Sequence, residues 1–147
     1  MKIYTSYFYK IRFFKPYMIP ISTAKFDPAW YHQGQGQNHW FVDKNGVING
    51  LRASVFSPKV EADCKTCDHT TCTFLPAYDR QLAELDISDI TRRIDIMCNK
   101  VRNILGFTEE PIAVFIVHEA PNNPCSERAS IQNYFRFHGI ECEELQV

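Results

Sequence analysis

The chain has 147 residues, 45% of them hydrophobic and 14% aromatic, with a formal net charge of -1. That length predicts a single domain spanning residues 1–147 with a core able to fold without staples, and the composition excludes a disordered segment. The near-zero charge gives no bulk sign of a nucleic-acid binder, although a local patch stays open.

The opening stretch, MKIYTSYFYKIRFFKPYMIP, is basic and aromatic. It has neither the apolar run nor the small-residue cleavage site of a signal peptide, and no run reaches the roughly 20 apolar residues of a membrane span. The expectation is a soluble, cytoplasmic chain with no membrane partner. Ile3 to Phe8 alternates loosely and is rich in Tyr and Phe, so it predicts a strand; Tyr17 to Ser22 predicts a second, broken by Pro20. Ser6, Tyr7 and Ser22, near the ends of these strands, are candidate ligand-binding residues, with a plain strand end as the other reading. Lys10, Arg12 and Lys15 form a small basic patch between them.

FDPAWYHQGQGQNHW, from Phe26 to Trp40, predicts a loop. Trp30, Tyr31 and Trp40 flank its Gly-Gln element, and aromatics there can stack on a base or cover a core edge; Trp30 is the fourth candidate ligand contact. The element is not a phosphate loop, because it lacks the required Gly spacing and the following Lys. Asp43 to Gly46 predicts a turn, and the segment after it can hold one short strand.

CKTCDHTTC then places Cys64, Cys67, His69 and Cys72 within nine residues. Cys-x2-Cys is the knuckle spacing of zinc sites, and thiolate with imidazole suits tetrahedral zinc. An iron–sulfur cluster is the alternative, with a fourth thiolate from Cys98, Cys125 or Cys142. Without an export signal, clustered cysteines favour metal over disulfides. A metal here is expected to hold together a polar loop that has no core of its own.

After Pro76, Tyr78, Leu82 and Leu85 share one helical face. The next helix is capped by Asp86 or Ser88, carries Ile90, Ile94, Val101 and Leu105 in a stripe, and ends at Gly106. Ile112 to Val117 is wholly apolar and predicts a strand buried on both faces, in the middle of a parallel sheet. A last helix is expected from about Cys125 to His138, with Gly139 closing it and IECEEL returning as a strand. The fold class is therefore α/β: one three-layer domain with a central mostly parallel sheet, helices on both faces, and a Cys-rich, metal-bound loop insertion.

In such folds ligands sit beyond the carboxyl ends of the strands. The junction HEAPNNPCSER, His118 to Arg128, leaves the strand with the most apolar sequence. Cys125 at or next to a helix start, near Arg128, is set up as a thiolate nucleophile or ligand. Arg128 can anchor an anion, and Glu119 can act as acid or base or simply pair with Arg128. The spacing is not that of the phosphatase loop, where His directly precedes Cys and Arg follows at a wider interval; here Ser126 and Glu127 alone separate Cys125 from Arg128.

Three blocks carry a resemblance: TSYF from Thr5, PISTAKFDPAWY from Pro20, and VHEAPNNPCSER from Val117. Through them the chain resembles the domain-of-unknown-function family 488 over nearly its whole length. In many members the last block reads Cys-x-Glu, a Pro-containing turn, then Cys-His-Arg. Here His118 stands before Glu119, and Cys-Ser-Glu-Arg replaces the final triplet. Glu, Cys and Arg are retained, so a role needing those three survives, while a role for the triplet's His does not. The resemblance implies a compact α/β fold, includes Cys-rich insertions before the FLPAY helix, and assigns no reaction. The expected function is a small enzyme with Glu119, Cys125 and Arg128 in a strand-end pocket that takes an anionic, nucleotide-like molecule. A non-catalytic nucleic-acid or protein-binding module with structural zinc is the alternative.

Overall fold

The computed structural model describes residues 2–59, 73–123 and 126–147. Among the described residues, six strands and three α-helices follow in chain order, with three short 3-10 helices between them. β1 spans Lys2–Tyr7, β2 Met18–Ser22, β3 Phe41–Val42 and β4 Ile48–Asn49. α1 spans Phe74–Ala83, α2 Ile87–Leu105, β5 Ile112–Val117, α3 Arg128–Phe137 and β6 Cys142–Glu144. The 3-10 helices are Phe8–Phe13, Ala29–His32 and Ser54–Phe56.

Four strands make one sheet in the order β2-β5-β1-β6, and every pairing in it is parallel. β5 lies between β2 and β1, and all six of its residues are buried. Its apolar run therefore has the cause expected of it, two covered faces. Alternate side chains serve opposite cores. Ala113, Phe115 and Val117 join the core under the α-helices, while Ile112, Val114 and Ile116 join the core on the other side.

The two faces are not covered alike. The buried apolar residues of α1, α2 and α3 all belong to the first core, whereas the second is closed by Phe8 and Ile11 of the first 3-10 helix and Tyr31 of the next. Helices on both faces thus means three α-helices on one face, here called the α side, and single 3-10 turns on the other. The connection between β1 and β2 is too short for a longer helix. The Cys-rich insertion falls at residues 60–72, outside the described residues.

Local signals account for most boundaries. The Asp86 side chain accepts from the Ser88 N–H at 3.0 Å to start α2, and Gly106 at φ 76° ends it. In the β3–β4 hairpin, Asp43 Oδ1 accepts from the N–H groups of Asn45 and Val47 at 2.8 and 3.1 Å. Gly50 follows at φ 105°, where a Cβ would lie 2.3 Å from the His39 carbonyl oxygen, so only glycine lets the two backbone segments cross. α3 departs from expectation. It begins at Arg128, because the Ser126 hydroxyl accepts from the Arg128 N–H at 3.2 Å and holds the preceding residues in a turn.

Among the described residues, no helix is long and apolar enough to cross a membrane.

Candidate functional site

Because the four strands run in parallel, their carboxyl ends share one edge of the sheet. Tyr7 pairs in register with Val117, Ser22 with Ile116, and Thr5 with Glu144. The side-chain alternation then divides the candidate residues of this edge into two groups.

On the α side, Arg128 is the organising residue and is only 6% exposed. Its Nε donates to Glu144 Oε1 at 2.6 Å, and its Nη2 donates to the backbone carbonyl of Glu119 at 2.6 Å. The guanidinium also lies 5.8 Å from the Tyr7 ring centroid. Glu144 Oε1 accepts from Thr5 as well, at 2.8 Å, and Thr5 accepts from Gln132 of α3 at 2.7 Å. The last strand, the first strand and α3 are thereby joined around one guanidinium. The alternative reading, a Glu119–Arg128 ion pair, is not what forms: the carboxylate partner of Arg128 is Glu144.

Two atoms in this group are buried without a hydrogen-bond partner among the described residues, Glu119 Oε2 and Arg128 Nη1. Burying a charged atom unpaired is costly, and native structures rarely leave one so without a reason. Glu127 adds a third feature. Burial, then the nearby Glu119 carboxylate, push its carboxyl up to about 7. Two close carboxyls, one of them titrating near neutrality, are the ordinary equipment of proton transfer. Glu127 had no sequence signal of its own. It reads as a solvated turn residue until tertiary packing buries it.

On the opposite side stand Ser6, Ser22, Trp30 and His118. Ser6 is fully buried, and its hydroxyl has no partner among the described residues. Ser22 belongs to a buried polar knot centred on Asp27. Asp27 Oδ1 accepts from the Ser22 hydroxyl and, at 2.5 Å, from Arg52 Nη1; Oδ2 accepts from His32 Nε2 at 2.6 Å. The other His32 nitrogen donates to the His39 carbonyl at 2.8 Å, so both ring nitrogens face acceptors. Arg52 Nη2 continues the network to the Ala24 carbonyl at 2.8 Å and to Ser57 at 3.0 Å. His118 donates to the Phe26 carbonyl and packs 5.0 Å from the Phe8 ring. Trp30 is 48% exposed and meets Phe8 edge-on.

The edge thus brings together Glu119, Arg128 and Tyr7, while Ser6, Ser22 and Trp30 lie beyond the sheet from them. Sequence reasoning missed Glu127, Asp27, His32 and Arg52. Asp27 and His32 fall in what reads as a polar loop, and only the 3-10 turn Ala29–His32 folds that loop back under the strand ends.

Cys125 and the four proposed metal ligands, Cys64, Cys67, His69 and Cys72, lie outside the described residues. Among those described, no group of three or more His, Cys, Asp or Glu is placed to hold a metal ion. Cys98 and Cys142, considered as a fourth thiolate for an iron–sulfur cluster, are fully buried core residues whose thiols burial pushes up to about 12. They pack as small apolar groups, which argues against a ligand role. Compared with protein-family models, with curated proteins and with solved structures, the chain matches none.

Proposed function

We propose that the protein is a small enzyme acting on an anionic small molecule at the α side of the strand-end edge. Arg128 is the anion anchor, Glu119 and Glu127 are the acid and base, and Cys125 is the nucleophile. The observation that carries the reading is the pair of buried, oppositely charged and unpartnered atoms, Arg128 Nη1 and Glu119 Oε2, on residues that touch through the Glu119 carbonyl. A ligand with an anionic group and a hydrogen-bond donor satisfies both. The retained Glu, Cys and Arg of the family-488 block support the same trio. A reducing, cytoplasmic setting goes with this proposal, since Cys125 must stay a thiol to act.

Alkylation tests it, read at the Cys125 peptide by mass spectrometry. Anionic iodoacetate should label Cys125 faster than neutral iodoacetamide, which reverses the order expected of a free thiol, and inorganic phosphate should slow the reaction. Arg128→Lys should reduce the preference for iodoacetate by about tenfold, because a point charge replaces the fork. Labelling at the rate of a free thiol, indifferent to phosphate, removes the proposal.

Zinc held by Cys64, Cys67, His69 and Cys72 remains the companion proposal, supported by spacing and ligand chemistry. Protein purified without a metal-affinity tag should contain near-stoichiometric zinc and lose it in Cys64→Ser. Zinc lost also in Cys125→Ser would join the two sites into one, and absence of metal from every sample would end the zinc reading.

A further inference from the structure

A cleft of about 560 Å³ opens on the side of the sheet away from the α-helices, between the first two 3-10 helices and the β3–β4 hairpin. Its volume lies within the range of small-molecule sites. Phe8, Trp30 and Phe41 supply aromatic walls, and Arg12, Gln33 and Lys44 supply polar groups.

Trp30 meets Phe8 at an interplanar angle of 89° and Tyr31 at the same angle, so neither ring lies parallel to the indole. Nearly half of this side chain faces solvent, a large apolar exposure for one residue. Arg12 is held in place: its Nε donates to the Tyr9 carbonyl at 2.9 Å, and its guanidinium lies 4.0 Å from the Tyr9 ring centroid. Neither Arg12 nor Lys44 forms an ion pair among the described residues. The acid in the lining, Asp43, already accepts from the N–H groups of Asn45 and Val47 and from Asn49 Nδ2. The cleft is therefore left with two cations that form no ion pair among the described residues and a carboxylate that already accepts three hydrogen bonds.

Gln33 gives an independent sign. At φ 53° it is the one described residue other than glycine in the left-handed region, where a long side chain is uncommon. Such backbone is found preferentially at ligand contacts. Here it closes the turn that presents both Trp30 and Gln33 to the cleft, and the Gln33 carboxamide can both donate and accept.

We propose that this cleft binds a nucleobase carrying a phosphate, with Trp30 stacking on the base, Gln33 reading its edge, and Arg12 and Lys44 holding the phosphate. A simple anion needs no aromatic wall, and a neutral aromatic needs no pair of cations. The same chemistry arises from a free mononucleotide or from a single strand, and the near-zero net charge favours the mononucleotide. The site is separate from the Arg128 group and stands whether or not that group is catalytic.

Fluorescence of Trp30 in Trp40→Phe protein is the test, because Trp30 is then the sole tryptophan. Adenosine monophosphate should quench it saturably, with adenosine and inorganic phosphate each binding about tenfold or more weakly. Arg12→Gln and Lys44→Gln should each weaken the nucleotide by about tenfold. By calorimetry, Trp30→Ala should lose binding and Trp30→Phe should keep most of it, with circular dichroism confirming that both fold. Tighter binding of a single strand of about ten nucleotides, weakened by the same substitutions, assigns the chemistry to a strand and still supports the site. Phosphate binding as well as the nucleotide, affinity unchanged by Trp30→Ala, or no saturable quenching up to about 10 mM of any probe overturns the proposal.

Discussion

Glu127 carries a carboxyl that burial and the neighbouring Glu119 push from 4.5 up to about 7. The folded state then holds this proton more tightly than the unfolded chain does. Its contribution to stability is fully present below pH 4.5 and is lost as pH rises through about 7, amounting to about 3 kcal/mol. Urea unfolding at pH 5 and pH 8 checks this: Glu127→Gln should gain on the wild type by roughly that amount between the two. Parallel profiles would mean that Glu127 is not the titrating group. The residue also shows where the sequence stops being readable. Glu119 and Arg128 announce themselves by following an apolar strand, a local cue. The environment of Glu127 is made by Glu119 and by Tyr78, whose hydroxyl burial and the Glu127 charge raise in turn. No spacing along the chain predicts that meeting.

Among the elements, the loop Thr23 to Trp40 depends most on a single side chain. Asp27 ties it to β2 through Ser22, to its own 3-10 turn through His32, and to the segment after β4 through Arg52. The Asp27 side chain is 1% exposed and the Arg52 side chain 14%. Asp27→Asn should therefore cost about 3 kcal/mol, since it leaves a largely buried guanidinium without its charge partner. Asp89 gives the control. It pairs with Arg92 and Arg93 on the outside of α2 at 40% exposure, and Asp89→Asn should cost less than about 1 kcal/mol. Equal losses in urea unfolding would contradict the knot's role. Elements with a period or a cap were legible: α2 with its Asp86 cap and Gly106 stop, β5 with its uniform burial, and the Asp43 turn. The start of α3 was not, because the Ser126 hydroxyl competes with the helix for the Arg128 N–H, and composition cannot rank the two.

For the whole molecule, the parallel sheet was legible because β5 alone implies two covered faces, but the unequal faces were not. The segment between β1 and β2 has the aromatic content of a strand and folds instead as a 3-10 helix, whose Phe8 and Ile11 close the second core. The strand order makes the last strand indispensable. Ending the chain at Glu141 removes β6 and, with Glu144, the partner of both Arg128 and Thr5. Such a chain should lose its cooperative urea transition, whereas removal of Gln146 and Val147 alone should keep it. β1 sits between β5 and β6, so it is synthesised well before either of its neighbours and waits for them. At common rates of synthesis that wait is on the order of ten seconds. Throughout it β1 exposes two bare edges and the apolar Ile3, a template for wrong pairing. The nascent chain has to keep β1 from wrong partners until β5 and β6 have both been made.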